Sequence, residues 1–340
     1  MRVIIALSQL NHLGGGERCT AELARYLSPR HDVILWTGRQ SLHHTFPELT
    51  AYPRRTLRAI DWLTSRPEAD AVIAQSFGAY LLAPRHPNVV CYLHTLRSRY
   101  LTAGRRPDLA ARRLLDHWAL SCASSLLTNS AFTAARASAL YGRRPVVVPP
   151  GVDERFFASP ARAGDYALSV GRLAPEKGLE RLFAWIADTR IPLRVVGAGV
   201  PDYVRRLRSL APANVTFLGP LIGDALVDQY TNCRFLAFLP RDEEFGLAAL
   251  EAMAAAKPVI AARSGALPVL VDDGATGLLV DSAAAFSEAV RRLIEDDAEC
   301  LRMGLAGREK ARAFTWQRFV AGVEDECLRG VTRPEQRRDG

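Results

Sequence analysis

The sequence contains very little lysine. Lysine and arginine together number 44, yet only Lys177, Lys257 and Lys310 are lysine. A bias of this kind is typical of a GC-rich genome. Each lysine that is present is therefore a candidate for a role that arginine does not fill, because an ammonium is a compact and movable charge.

Long hydrophobic runs are also missing. No apolar stretch approaches the roughly 20 residues that a membrane-spanning helix needs. The opening run RVIIALS is short, and no small-residue cleavage site follows it. It predicts a buried first strand and not a signal peptide.

Closely spaced cysteines are absent too, which excludes a zinc knuckle and argues against a disulfide framework. The pattern predicts reduced thiols, mostly buried, in a cytoplasmic protein. The six cysteines are Cys19, Cys91, Cys122, Cys233, Cys300 and Cys327.

The positive charge is concentrated in the first half. Residues 1–150 contain 19 arginines against 9 acidic residues, together with all seven histidines. The remainder contains 25 basic and 27 acidic residues. This asymmetry indicates that the first half meets an anionic partner.

Short apolar runs alternate with helical stretches in both halves of the chain, which predicts an α/β fold with two parallel sheets. The boundary between the two halves falls near Pro149-Pro150-Gly151. We therefore expect two Rossmann-like domains, 1–150 and 151–314, with ligands bound beyond the carboxyl ends of the strands in the cleft between them.

The stretch RDEEFGLAALEAMAAAKPVIA, residues 241–261, changes abruptly from acidic to small and apolar. A helix that begins near Gly246 leaves the amides of Phe245–Leu247 without intrahelical partners, and such amides favour a phosphate. Glu251 is then placed to accept from ribose hydroxyls, and Glu243 to reach a sugar. Taken singly, each glutamate can also be a solvated surface residue.

A second stretch, SVGRLAPEKGLERLF at 169–183, reads as strand, loop and helix. Arg172 follows the strand, and Lys177 precedes Gly178 at the predicted helix start. Two cations five residues apart on one loop suit a diphosphate, although such a pair is often only surface charge.

Together the two stretches resemble the retaining glycosyltransferases of family GT4, whose hallmark is two glutamates separated by seven residues with Phe-Gly-Leu between them. LGGGERCTAELARYL, TNSAFTAARASALYG, VVVPPGVD and VGAG match in order as well. The resemblance implies the GT-B fold, in which a C-terminal helix, here 315–330, returns to the first domain. It also implies an acceptor domain at 1–150 and a donor domain at 151–314.

The resemblance further implies site residues. Arg172 and Lys177 bind the donor diphosphate, Glu251 the ribose, and Glu243 the sugar, while His94 contacts the transferred sugar. The remaining donor-binding residues are expected in glycine-containing segments and at the helix start: Gly15, Gly16, Gly197, Phe245, Gly246 and Leu247. The segment Gly14–Gly16 is expected to be a loop that closes over the phosphates.

Two departures from the family pattern stand out. Ala256 replaces a usual glycine, and we expect it to stiffen a helix end. Val269 stands where the family commonly has a donor-side glutamate, so donor preference stays open.

The implied activity is transfer of a hexose from a UDP- or GDP-sugar to a hydroxyl, with retention and without a metal or other cofactor. The acceptor is a small-molecule glycoside, a lipid-linked sugar or a polysaccharide. The alternatives are a nucleotide-sugar epimerase of the same architecture and a catalytically silent homologue. NAD binding is weakly supported because the glycine-rich stretches lack the full fingerprint, and we find no Asp-x-Asp metal motif.

A basic stretch at 96–121 contains Arg97, Arg99, Arg105 and Arg106. It can hold an anionic acceptor or contact an acidic membrane surface from the cytoplasmic side, or it can be a solvated helix face. Nucleic acid is not expected, since no aromatic platform accompanies the charge.

Overall fold

The computed structural model describes residues 1–10, 14–40, 46–96 and 107–332. Arg97, Arg99, Arg105 and Arg106 lie outside the described residues. The chain divides into two compact units, one formed by Met1–Pro150 with the chain from Trp316 onwards, the other by Gly151–Thr315. None of the described helices combines the length and the apolarity needed to cross a bilayer.

The described part of the first unit contains seven strands in one sheet, and every pairing is parallel. Their order is β3-β2-β1-β4-β5-β6-β7, so the winding reverses between β1 and β4. The carboxyl ends of the strands on either side of such a reversal leave a crevice for ligands. The strands are β1 (Arg2–Leu10), β2 (Asp32–Gln40), β3 (Arg54–Thr56), β4 (Ala71–Ala74), β5 (Val89–Leu93), β6 (Ser125–Thr128) and β7 (Val146–Val147).

Helices cover this sheet and pack apolar side chains against it. In the first of them Cys19, Leu23 and Leu27 recur at a spacing of four residues and are buried. The helices between the strands are α1 (Gly15–Leu27), α2 (Asp61–Thr64), α3 (Phe77–Tyr80), α4 (Pro107–Ser121) and α5 (Ala131–Tyr141).

The described second unit repeats the plan with six parallel strands in the order β10-β9-β8-β11-β12-β13. Here the winding reverses between β8 and β11. The strands are β8 (Ala167–Val170), β9 (Leu193–Val196), β10 (Val215–Gly219), β11 (Phe235–Phe238), β12 (Val259–Ala262) and β13 (Gly277–Val280). The helices are α6 (Leu179–Ile186), α7 (Pro201–Leu210), α8 (Gly223–Asn232), α9 (Leu247–Ala254), α10 (Leu267–Leu270), α11 (Ala283–Glu295) and α12 (Asp297–Ala311).

Helix α13 (Trp316–Thr332) belongs to the first unit. Its buried residues include Trp316, Phe319 and Val323, a spacing that forms one apolar stripe. Phe319 meets the ring of Tyr92 edge-on at 5.4 Å between centroids, and Asn88 Nδ2 donates to the Cys327 carbonyl at 2.8 Å. Trp316 and Phe319 thus anchor this helix to the first sheet.

The α/β class with two Rossmann-like parallel sheets, predicted from the sequence, is confirmed. The expectation for Ala256 is wrong. Helix α9 ends at Ala254, and Ala256 lies beyond it with a φ of +54°. It therefore occupies the left-handed region that glycine favours and does not stiffen a helix end.

Candidate functional site

The polar residues of the second unit gather where its winding reverses. Strands β8 and β11 are neighbours, and the loops after them contain Arg172 and Lys177 in one case and Glu243 in the other. The Arg241 amide donates to the Glu176 carbonyl at 2.8 Å and joins the two loops. Arg172 and Lys177 line a cavity of about 10 Å³ at the end of β8.

The loop after β8 keeps Lys177 close to β11 because Gly178 follows it. Gly178 has a φ of +70°, and a Cβ there would lie 2.0 Å from the Leu239 carbonyl oxygen. Any larger residue at this position would push the two loops apart. Lys177 itself closes a short 3₁₀ turn, Pro175–Lys177, and α6 begins just after Gly178.

The two cations of this loop have different partners. Lys177 Nζ lies 2.7 Å from Glu243 Oε2, and the two side chains are only 24% and 12% exposed. Arg172 Nη2 lies 2.6 Å from Glu176 Oε1, but those side chains are 57% and 51% exposed. An exposed pair contributes about 0–1 kcal/mol. Arg172 is therefore free to reorient at little cost, whereas Lys177 and Glu243 form a sheltered pair.

Glu243 is fixed through its backbone by the turn after β12. The Ala266 amide donates to the Glu243 carbonyl at 2.8 Å, and the Asp242 amide donates to Ser264 Oγ at 3.2 Å. Gly265 packs closely against this loop. A Cβ there would lie only 2.3 Å from the Glu243 carbonyl oxygen, so no side chain fits. The turn at 264–266 thus positions the carboxylate through main-chain contacts.

Glu251 lies on α9, one turn after its start, and accepts a hydrogen bond of 2.7 Å from the Tyr230 hydroxyl. Tyr230 is fully buried on α8, and its ring meets Phe156 edge-on. Burial first, and then the neighbouring carboxylate, raise the pKa of Tyr230 well above its ordinary value. The hydroxyl therefore remains a donor that orients Glu251, a partner that the sequence pattern did not reveal.

Helix α9 begins at Leu247 after Gly246, whose φ of +102° turns the chain into the helix. The side chain of Phe245 is buried and lies against Phe314 at 5.9 Å between centroids. Because the first amides of a helix lack intrahelical partners, this start can receive an anion. Phe245, Gly246 and Leu247, the residues predicted for donor binding, form this helix start, and their contact with a donor stays a prediction.

Close packing at the end of β9 requires a glycine at position 197. Its amide donates to the Gly219 carbonyl at 2.8 Å. A Cβ at Gly197 would lie 1.9 Å from the Gly171 carbonyl oxygen, immediately before Arg172. The glycine thus permits the loop that contains Arg172 to approach β9, and a direct contact with a donor stays a prediction.

In the first unit, His94 follows β5 and lies beneath the start of α1. The position of a Cβ on Gly16 would be 3.5 Å from the His94 ring. Gly15 and Gly16 form the first turn of α1, after an extended Gly14. The expectation of a loop at Gly14–Gly16 is therefore wrong for the last two glycines, because the helix begins at Gly15.

His94 Nε2 lies 2.9 Å from Gln75 Oε1, and burial lowers the pKa of His94 to about 4. The ring is neutral at pH 7.

Among the described residues no group of three or more His, Cys, Asp or Glu side chains could hold a metal ion.

Solved structures share this architecture. Anabaena HepE, in a structure described as a complex with UDP-glucose, superposes with a TM-score of 0.80 at 22% identity, covering 98% of this chain and 100% of that one. Two Rossmann-like parallel sheets in series, with this similarity over the whole chain, define the GT-B glycosyltransferase fold.

The sequence comparisons narrow the class. The model of Glycosyl transferases group 1 matches residues 153–310, and that of Glycosyltransferase Family 4 matches residues 13–156. The D-inositol 3-phosphate glycosyltransferase of Corynebacterium efficiens is 33% identical over 71% of this chain and 67% of its own length. That of Corynebacterium diphtheriae is 32% identical over 68% of this chain and 62% of its own length, so the chain spans about six tenths of that relative. The chain belongs to the GT4-type glycosyltransferases.

Proposed function

We propose that this protein transfers a hexose from a nucleoside-diphosphate sugar to a hydroxyl acceptor with retention at the anomeric carbon. The observation that carries the proposal is the sheltered Lys177–Glu243 pair, with its 2.7 Å separation, at the winding reversal of the second sheet. One charge of this pair suits the diphosphate and the other the sugar hydroxyls, and both parts of the donor are held at one place.

Donor binding exchanges the partners of the two cations. A diphosphate carries more negative charge than one carboxylate, so it attracts Lys177 and draws Arg172 from its exposed partner Glu176. Glu243 is then released to accept hydrogen bonds from the sugar. Its backbone stays fixed by the turn at 264–266, which keeps the carboxylate in place during the exchange.

Glu251 accepts from the ribose hydroxyls of the donor nucleotide, with the Tyr230 hydroxyl fixing its orientation. The amides at the start of α9 receive phosphate oxygens. The description of HepE as a complex with UDP-glucose makes UDP-sugars the first donors to test, with GDP-sugars second. Gly197 acts by bringing the loop with Arg172 into place.

In the transfer step a bond forms between the acceptor oxygen and the anomeric carbon while the bond from that carbon to the diphosphate oxygen breaks. The acceptor proton passes to the departing diphosphate on the same face of the sugar, which gives retention without a covalent enzyme intermediate. Lys177 and Arg172 stabilise the charge that grows on the leaving group. We propose that no metal is required, because these two cations supply that stabilisation.

The acceptor is a small-molecule glycoside, a lipid-linked sugar or a polysaccharide end. Two other activities compete with the proposal: nucleotide-sugar epimerisation and binding without catalysis. An epimerase would return an altered donor without any acceptor, and a silent homologue would bind the donor and release nothing.

The deciding experiment incubates the protein with a panel of UDP- and GDP-sugars, with and without acceptors, in the presence of EDTA. We expect slow hydrolysis of one donor without acceptor and a glycoside of unchanged anomeric configuration with it, both resistant to EDTA. An epimerised donor would replace the proposal with the first alternative. Donor binding by calorimetry without turnover on any acceptor class would favour the second.

We also propose that the protein works in the cytoplasm and contacts an anionic membrane through α4. Leu114, Leu115 and Trp118 are 72%, 41% and 44% exposed on this helix, beside the exposed Arg113. Apolar side chains flanked by arginine on an exposed helix face suit the interface of an anionic bilayer. Arg97, Arg99, Arg105 and Arg106, which precede α4 in the chain, would add to the attraction.

A further inference from the structure

A buried chain of neutral hydrogen bonds runs from α1 to His94 at the carboxyl edge of the first sheet. The Thr20 hydroxyl donates to the Gly16 carbonyl at 3.1 Å, and Gln75 Nε2 donates to Thr20 Oγ1 at 2.9 Å. Gln75 Oε1 lies 2.9 Å from His94 Nε2. Thr20 and Gln75 are only 1% and 3% exposed, so water does not compete for the bond between them, while the bonds to Gly16 and His94 are half-buried.

The direction of every bond in this chain follows from its first member. A backbone carbonyl can only accept, so the Thr20 hydroxyl must donate to Gly16, and its oxygen is left to accept from the next residue. The partner of that oxygen on Gln75 must then be the amide nitrogen. The Gln75 carbonyl oxygen consequently faces His94 and requires a proton on Nε2.

The His94 ring is held in this arrangement from other sides as well. The ring of Tyr92 lies 4.6 Å away between centroids, and Asn129 Nδ2 donates to the His94 carbonyl at 2.8 Å. Burial keeps the imidazole neutral at pH 7. A neutral imidazole with its proton on Nε2 has a lone pair on Nδ1.

We infer that Thr20 and Gln75 are positioning residues that hold His94 as the Nε2–H tautomer and make Nδ1 an acceptor for a ligand hydroxyl. The site then rejects a phosphate or carboxylate oxygen at this atom, because neither can donate. In assigning that hydroxyl to a sugar the inference rests on the proposed function. The tautomer itself is a property of the protein alone.

The first test is ¹⁵N-labelled histidine NMR of the full chain, with the His94 signals assigned by their loss in His94→Gln. We expect His94 to remain in the neutral Nε2–H form from pH 5.5 to pH 8. Thr20→Val, which is nearly isosteric but lacks the hydroxyl, should give a mixture of tautomers, and Thr20→Ser should restore the single form. A wild-type ring protonated on Nδ1, or an unchanged ring in a folded Thr20→Val protein, overturns the inference.

A matched control is Thr231→Val, since the Thr231 hydroxyl also donates to the carbonyl four residues earlier on its helix, at 2.9 Å. This variant should leave the His94 signals unchanged. Gln75→Glu provides a second measurement. A carboxylate in place of the amide keeps an acceptor beside Nε2 and should raise the pKa of His94 while preserving the Nε2–H form.

The second test measures sugar transfer by the same variants. Thr20→Val should lower kcat about 10-fold and leave the Kd for free nucleoside diphosphate unchanged, and Thr20→Ser should recover the rate. If the tautomers mix while transfer is unaffected, the hydroxyl role of Nδ1 is wrong. If no nucleotide-sugar supports transfer by the wild type, the proposed function fails and the NMR result alone decides the tautomer.

Discussion

The two sheets reverse their winding in the same way, but the residues at the two reversals differ in character. At the β8–β11 reversal of the second unit the side chains are charged, with Lys177 against Glu243 and Arg172 against Glu176. At the β1–β4 reversal of the first unit Thr20 and Gln75 are neutral and buried. If the proposed function is right, one topology holds an anion in one unit and neutral hydroxyl groups in the other.

The difference has a physical basis in exposure. A charged ligand such as a diphosphate must leave water, and cations that already lie at the rim of the sheet replace its hydration. A sugar hydroxyl needs only a correctly oriented acceptor, and a buried neutral network provides that orientation. Charge substitutions should therefore have their largest effects in the second unit.

The largest expected effect is that of Lys177→Ala. If Lys177 stabilises the leaving group as proposed, its removal should reduce kcat/KM by about 10²-fold or more, because its contribution grows as charge develops in the transition state. Lys310→Ala is the matched control, since Lys310 Nζ also lies 2.8 Å from a carboxylate, Asp272 Oδ1, away from the reversal. Equal kcat/KM values for the two folded variants would remove Lys177 from the mechanism.

The second comparison separates the two glutamates. Glu251→Ala should weaken binding of free UDP about 10-fold, because a charged acceptor of ribose hydrogen bonds is lost. Glu243→Ala should leave UDP binding unchanged or tighter, since Lys177 loses its competing partner, and should still depress sugar transfer. Titration calorimetry and a transfer assay test both statements. If both variants lose UDP affinity equally, the separation of ribose and sugar roles is wrong.

The third comparison concerns the membrane contact that we propose for helix α4 of the first unit. The double variant Leu114→Ser and Trp118→Ser should reduce binding to vesicles rich in anionic lipid about 5-fold, because less apolar area enters the interface. Val200→Ser is the control, as Val200 is 69% exposed in the second unit. Sedimentation with vesicles measures both.

Reversal of Arg105 and Arg106 to glutamate tests whether the charge of the basic stretch at 96–121 contributes to the same membrane binding. Vesicle binding should fall and the KM for an anionic acceptor should rise. Both effects should shrink with added salt, since exposed charges are screened over roughly 10 Å at 0.1 M. Donor hydrolysis without acceptor should not change. Normal vesicle binding without salt dependence would contradict a role for these arginines in membrane or acceptor binding and would favour the solvated helix face.

Local patterns sufficed to predict much of this molecule. Strand, loop and helix alternation predicted both sheets, and the charges at Arg172, Lys177 and Glu243 lie in loops next to one strand reversal, as parallel topology requires. The resemblance also implied that a helix at 315–330 returns to the first domain, and α13 (Trp316–Thr332) belongs to the first unit.

The residues that escaped prediction act through tertiary contacts. Tyr230 precedes Glu251 by 21 residues, and in the sequence it looks like an ordinary core aromatic of a helix. Gln75 and Thr20 are 55 residues apart, and only the pairing of β1 with β4 brings their elements together. The loop expected at Gly14–Gly16 came from the resemblance, and the low helix propensity of glycine did not prevent α1 from beginning at Gly15.

The smallest expected effect is on stability and concerns Ala256 in the second unit. Its φ of +54° costs an L-residue roughly 1–2 kcal/mol, part of which Ala256→Gly recovers against the greater freedom that glycine has in the unfolded chain. We expect the free energy of unfolding of the second unit to rise by about 0.5 kcal/mol, which raises its Tm by about 1–2 °C.

Ala255→Gly is the matched control. Ala255 has a φ of −76° and is equally buried, so glycine there should destabilise by about 0.5–1 kcal/mol. Thermal unfolding measured for both variants separates the strain at residue 256 from the general cost of glycine, and equal destabilisation by the two substitutions would show that Ala256 is not strained.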